Sequence, residues 1–148
     1  MSKKKIIVLI EDNEDDEKLT LRAMKKNNIL NEVVVLRDGE EAINYIFGKG
    51  RYVGKDTMEA PQVILLDLNL PKINGLEILK RIRENEKTRL YPVVILTSSN
   101  SEKDMVESYK LGANSYIRKP VDFDQFMESV KQLGLYWLVL NKIPEEVE

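Results

Sequence analysis

The chain has 148 residues, of which 43% are apolar and 32% charged, and carries a net charge of −2. That profile fits one ordinary globular domain able to bury about two thirds of its unfolded surface, and the net charge gives no reason to expect a polyanionic partner such as DNA. With no cysteine and no histidine, disulfides, thiolate or imidazole metal sites and histidine general bases are all excluded, leaving carboxylates, Lys, Thr, Ser and Tyr to carry any chemistry.

Lys3, Lys4 and Lys5 precede an apolar run, Ile6 to Ile10, of only five residues before Glu11. That is too short for the core of a signal peptide, and nothing later reaches a transmembrane length. A cytoplasmic protein with no membrane contact is expected. Lys5 to Ile10 reads as a buried strand, followed by the acidic cluster Glu11, Asp12, Glu14, Asp15 and Asp16. Leu19, Ala23 and Met24 recur at helical spacing, predicting a helix from about Asp15 to Asn27 whose first-turn acids suit the positive end of its dipole. Val33 to Val35 form a second strand. Asp38 and Glu41 have the spacing of a capping box opening a helix through Ile43, Ile46 and Phe47.

Gly48 to Pro61 is irregular. Its Gly54-Lys55 pair does not make a phosphate-binding loop, because Gly50 lies one residue too close and Asp56 stands where Ser or Thr is needed. A surface loop is the better reading. Val63 to Leu66 is a continuous apolar strand that ends in Asp67; Pro71, Asn74 and Gly75 turn the chain into a helix marked by Leu76, Leu79 and Ile82. Pro92 to Thr97 repeats the pattern and ends in a hydroxyl. Ser101 and Asp104 cap a helix that stops at Gly112, Ser115 to Arg118 forms a short fifth strand, and Asp122 with Gln125 opens a last helix bearing Phe123, Phe126, Val130, Leu133 and Trp137 on one stripe. Strands alternating with helices five times predict an α/β fold: an open parallel sheet with helices on both faces.

Such a sheet brings the carboxyl ends of its strands to one edge, where ligands bind in open α/β folds. Glu11 and Asp12 follow the first strand, Asp67 the third, Thr97 the fourth and Lys119 the fifth. Each alone could be a local cap. Together they make a set: clustered carboxylates repel unless a cation joins them, and oxygen-only ligands favour Mg²⁺. A carboxylate nucleophile, a hydroxyl and an ammonium are the parts of phosphoryl transfer.

These residues resemble the response-regulator receiver family. The matching segments are LIEDNE with Glu11 and Asp12, LLDLNLP with Asp67, VVILTSS with Thr97, and YIRKP with Lys119 before Pro120. The separations of 30 residues from Asp67 to Thr97 and 22 from Thr97 to Lys119 also fit. The resemblance runs from about Lys5 to Leu133 and implies a flavodoxin-like (βα)5 sheet in the order 2-1-3-4-5. It implies that Asp67 accepts a phosphoryl group from a phosphohistidine on a sensor histidine kinase or phosphotransfer protein. Asp12, Asp67 and the backbone carbonyl of Asn69 would bind Mg²⁺, with Glu11 helping through water. Thr97 and Lys119 would take phosphoryl oxygens, and Thr97 with Tyr116 would form the switch; on its own, Tyr116 reads equally well as half-buried packing. The Lys119-Pro120 bond resembles the family's cis peptide, and Ser98 is small enough to admit a phosphodonor. Asn69 and Ser99 stand where relatives tune the lifetime of the phosphorylated state. The acidic pair is Glu-Asp where many relatives have Asp-Asp.

The implied protein is a phosphoacceptor switch, not a metabolic enzyme, that promotes its own phosphotransfer and dephosphorylation. A receiver-shaped adaptor indifferent to phosphate would be expected to lack Asp67, Thr97 or Lys119. A small-molecule phosphatase would be expected to carry an acid at position 69, where this chain has Asn69. The long loop Gly48 to Pro61 and the C-terminal segment resemble stand-alone receivers that partner bacterial phytochrome-type kinases. One receiver domain over residues 1–148 is expected, with its core at about 5–133, a helix extension and tail at 134–148, and no DNA-binding output. Leu135 to Leu140 are six consecutive apolar residues, more than one core-facing stripe accommodates. They either fold back on the domain or form a homodimer or partner surface on the last helix.

Overall fold

Five apolar segments are extended and hydrogen-bonded side by side: β1 (Ile6–Ile10), β2 (Glu32–Leu36), β3 (Val63–Leu66), β4 (Val93–Thr97) and β5 (Ser115–Arg118). All four pairings are parallel, giving a single sheet in the order β2-β1-β3-β4-β5. The computed structural model describes residues 6–53, 60–119 and 122–142. Between and after the strands lie α1 (Glu14–Lys26), α2 (Gly39–Phe47), α3 (Gly75–Glu84), α4 (Glu102–Lys110) and α5 (Phe123–Gly134). Lys5 and the Lys119-Pro120 bond of the expected cis peptide lie outside or at the edge of the described residues.

Why the central strands read as unbroken apolar runs is visible in the packing. Side chains alternate across a strand, and here both sides are covered. Val8, Ile10, Ile64, Leu66 and Ile95 meet Ala42, Ile43 and Ile46 of α2 and Ile78, Leu79 and Ile82 of α3 on one face. Ile7, Leu9, Val63, Leu65 and Val94 meet Ala23 and Met24 of α1 and Phe126, Val130 and Leu133 of α5 on the other. β3, flanked by β1 and β4, is wholly buried. α4 is held more lightly: Ser108 is its one buried residue, while Val106 and Tyr109 are exposed.

The helix starts follow the expected chemistry with local differences. Asn13 caps α1 one residue earlier than predicted, its Oδ1 accepting from the Asp16 N–H at 2.9 Å. Asp38 accepts from the Glu41 N–H at 2.7 Å, but Glu41 accepts from the Arg37 N–H instead of closing the box onto Asp38. Ser101 caps α4 through the Asp104 N–H, as predicted. Asp122 caps α5 through Asp124, not Gln125, because its carboxylate reaches the nearer N–H at 2.8 Å. Gly112, with φ +97°, ends the α4 turn in a backbone region that costs a side chain about 1 kcal/mol or more. The irregular loop contains a short 3₁₀ turn, Gly50–Tyr52, and residues 54–59 of it lie outside the described part.

The last helix loosens into a π-type turn, Leu135–Leu140. Trp137 alone of these six is buried; Leu135, Tyr136, Val139 and Leu140 are each at least half exposed. Among the described residues of this segment the core takes one stripe, through Trp137, and leaves most of the rest outside.

Candidate functional site

β1, β3, β4 and β5 end at one edge, and five strand-end side chains converge there: Glu11, Asp12, Asp67, Thr97 and Lys119. β3 delivers Asp67, whose residue surface is only 6% exposed. Its Oδ1 accepts from the Thr97 hydroxyl at 2.8 Å and from the Asn69 N–H at 3.1 Å. Its Oδ2 accepts from the Lys119 ammonium at 3.1 Å. Each oxygen thus has its own donors, and the carboxylate has little freedom to rotate.

That rigidity originates in the backbone. The Asp67 N–H is hydrogen-bonded to Ile10 in β1 at 3.1 Å, and the Gly75 N–H donates to Leu68 at 3.0 Å, closing the β3–α3 turn. Gly75 opens α3 directly against this turn. A Cβ there would stand 2.4 Å from the Asp67 carbonyl oxygen and 2.7 Å from the Leu68 Cα, both backbone atoms with nowhere to go. Asn74 completes the turn by accepting from the Glu77 N–H at 3.0 Å.

Glu11 is buried and ion-paired to Lys119, and its Oε2 accepts from the Asn13 N–H at 3.2 Å. Burial pushes its carboxyl up to about 7 against the pull of Lys119, and the neighbouring Asp67 pushes the same way. Asp67 is held below the ordinary carboxylate range: burial opposes this, but Lys119 and the Asn69 N–H outweigh it. Two buried acids beside one lysine have therefore separated, one toward the neutral form and one kept ionised. Lys119 is raised; burial works against its charge, and hydrogen bonds to Glu11 and Asp16 more than compensate.

Glu11, Asp12 and Asp67 each present a carboxylate oxygen, and these oxygens lie within 4.8 Å of one another. Hard oxygen donors at this spacing, one exposed to solvent and two buried, fit a divalent cation of the Mg²⁺ or Mn²⁺ type. The Asn69 backbone sits beside Asp67. Thr97 is fully buried, and its Oγ1 also accepts from the Ser99 N–H at 3.3 Å. Tyr116 is half-buried, and its hydroxyl donates to the Ser99 carbonyl at 3.1 Å. Ser99 also donates to Asp104 of α4 at 2.7 Å, so the loop after β4 connects Thr97, Tyr116 and α4.

All the strand-end residues singled out by sequence are thus brought together. One participant was not: Asp16, whose Oδ2 lies 2.9 Å from the Lys119 ammonium. Its place in the first turn of α1 gave it a sufficient local explanation as a dipole partner. The signal that could have found it is its position one helical turn beyond Asp12, leaving the same sheet edge.

The receiver-domain model of response regulators matches residues 7–131. Among curated proteins, the response regulator Rcp1 of Synechocystis is 36% identical over 140 residues, covering 95% of this chain and 93% of Rcp1. A probable methanogenesis regulatory protein, FilR2 of Methanothrix harundinacea, is 37% identical over 142 residues, covering 94% and 87%. Among solved structures, the phosphorylated cyanobacterial phytochrome response regulator RcpA superposes with a TM-score of 0.88 at 38% identity, covering 97% of this chain and all of RcpA. The Mn²⁺-bound form of Rcp1 gives 0.86 at 36% identity, covering 95% and 99%. No helix among the described residues is long and apolar enough to cross a membrane. With the five-stranded order, the strand-end acids and a family match over most of its length, this chain belongs to the response regulator receiver domain family.

Proposed function

We propose that the protein is a single-domain response regulator, acting in the cytoplasm, in which Asp67 accepts a phosphoryl group from the phosphohistidine of a sensor kinase or phosphotransfer protein. An Asp67 oxygen would attack phosphorus, the P–N bond would break, and the imidazole would leave with the electron pair and take up a proton. The observation that carries this reading is the asymmetric hold on Asp67, with Thr97 and the Asn69 N–H on one oxygen and Lys119 on the other. A nucleophile kept ionised and still needs little reorganisation to react. Asp12, Asp67, Glu11 through water, and the Asn69 carbonyl would hold Mg²⁺, which supplies charge neutralisation when bound. Lys119 and Thr97 would then bind phosphoryl oxygens.

Movement of Thr97 toward the phosphoryl group would reach Tyr116 and α4 through Ser99. The light packing of α4 supports it as the element that responds. Likeness to the phytochrome response regulator RcpA supports a phytochrome-type kinase as the donor. The exposed apolar residues of 135–140 support a homodimer through the last helix.

Incubation with acetyl phosphate and Mg²⁺ should add one phosphate to the intact protein, and Asp67→Asn should abolish it. Thr97→Ala should still be labelled but lose phosphorylation-dependent partner binding. Unchanged labelling of the Asp67 variant would refute the assignment.

A further inference from the structure

Lys119 is surrounded by more negative charge than one ammonium requires. Its side chain is 8% exposed, and three carboxylates reach it: Glu11, Asp16 at 2.9 Å and Asp67 at 3.1 Å. Two of these, Glu11 and Asp67, also belong to the carboxylate cluster suited to a divalent cation; Asp16 does not. Asp16 is the partner reserved to the lysine.

Its placement is fixed from both directions. The Asp16 N–H donates to the Asn13 side chain at 2.9 Å, and the Asp16 carbonyl accepts from the hydroxyl of Thr20, a fully buried residue, at 2.8 Å. The carboxylate therefore projects from a pinned turn. The Asp16 side chain itself is 37% exposed, so its hold on Lys119 is weakened by solvent and can be given up at modest cost. A pinned but partly solvated counter-ion is suited to hold a cation in one state and release it in another.

We infer that Asp16 is a positioning residue that occupies Lys119 in the resting protein and competes with the incoming phosphoryl group for it. This rests on the phosphoacceptor reading. A phosphoryl group on Asp67 brings two negative charges to the side of Lys119 that Asp67 already faces, and the ammonium must turn part of its donor capacity from Asp16 toward them. Asp16 thereby sets how readily the phosphoryl state is stabilised.

The test is titration with beryllofluoride, an acyl-phosphate mimic, at saturating Mg²⁺, with the bound fraction read by ¹⁹F NMR. Asp16→Asn should bind the mimic roughly two- to fivefold more tightly than wild type, the range expected for freeing a partly exposed ion pair. Asp15→Asn removes the same charge from the same helical turn without touching Lys119, and should change affinity less than twofold. Asp16→Glu should stay close to wild type. In a Lys119→Gln background, Asp16→Asn should gain no more than Asp15→Asn does. Equal or weaker binding by Asp16→Asn, an equal gain from Asp15→Asn, or a gain that persists without Lys119 would each overturn the inference. A wild-type chain giving no bound signal would overturn the phosphoacceptor reading and this inference with it; a wild type that binds while Asp16→Asn gains nothing overturns the inference alone.

Discussion

Replacing Lys119 by Met would leave the strand-end carboxylates without their cation. Glu11 and Asp67 have side-chain exposures of 2% and 7%, so solvent cannot take over the screening. Removing one partner from a buried ion pair costs about 3–5 kcal/mol. The pair with Asp16 adds less than about 1 kcal/mol, because it is partly exposed. The metal-free variant should thus lose about 3–5 kcal/mol at pH 8, equivalent to a fall in Tm of about 6–20 °C for a domain of this size. Below pH 7 the deficit should shrink, since Glu11 can neutralise itself by holding a proton. Millimolar Mg²⁺ should narrow it as well, by binding the same carboxylates in the folded state only. Urea unfolding of both proteins with chelator at pH 6 and pH 8, repeated with Mg²⁺, measures all three effects. A variant within about 0.5 kcal/mol of wild type at pH 8 with chelator would refute the claim that Lys119 neutralises a buried acidic cluster.

Gly75→Ala should cost about 1–3 kcal/mol in urea unfolding, because the new methyl meets the Asp67 and Leu68 backbone. Helix propensity alone predicts a gain of up to about 1 kcal/mol, so the sign decides between the two. Without metal, Glu11 makes stability fall as pH rises. Folded protein keeps a proton up to about 7 that the unfolded chain releases near 4.5, so this contribution is present below 4.5 and lost through about 7. Asp67, lowered, has its contribution complete above its ordinary 3.8, and Lys119, raised, has its own complete below 10.5, so neither cancels the trend. Unfolding between pH 5 and 8 should show a loss of about 1–3 kcal/mol that Glu11→Gln flattens; a rise would contradict it. Sedimentation at tens of micromolar, with and without beryllofluoride, should show a dimer that Leu135→Asp with Val139→Asp dissociates. A monomer under both conditions would exclude the last helix as a self-association surface.

How much of this was legible in the chain depends on how local each signal is. The strand Val63–Leu66 was read to the residue, because a strand buried on both faces leaves no polar position to blur its ends. The convergence of Glu11, Asp12, Asp67, Thr97 and Lys119 followed from topology: parallel strands share an edge whatever their loops do. Contacts made across the fold by residues with good local explanations were not legible. Asp16 is 103 positions from Lys119 and already suited its helix end. Arg83 belongs to no motif that the sequence offers. It donates to the carbonyls of Gly112, Arg89 and Tyr91 and to the Asn114 side chain, tying α3 to the turn before β5. The surplus of apolar residues at 135–140 was legible, but not the π-type turn that sorts Trp137 inward and its neighbours outward.

We propose Asp67 as the single carboxylate that carries the phosphoryl group. Borohydride reduction of the acetyl phosphate-treated protein converts an aspartyl phosphate to homoserine, which peptide mass spectrometry locates. Homoserine at position 67 and at no other aspartate, dependent on Mg²⁺, is the predicted result. Conversion at Asp12, Asp16 or another acid, with Asp67 intact, would contradict it.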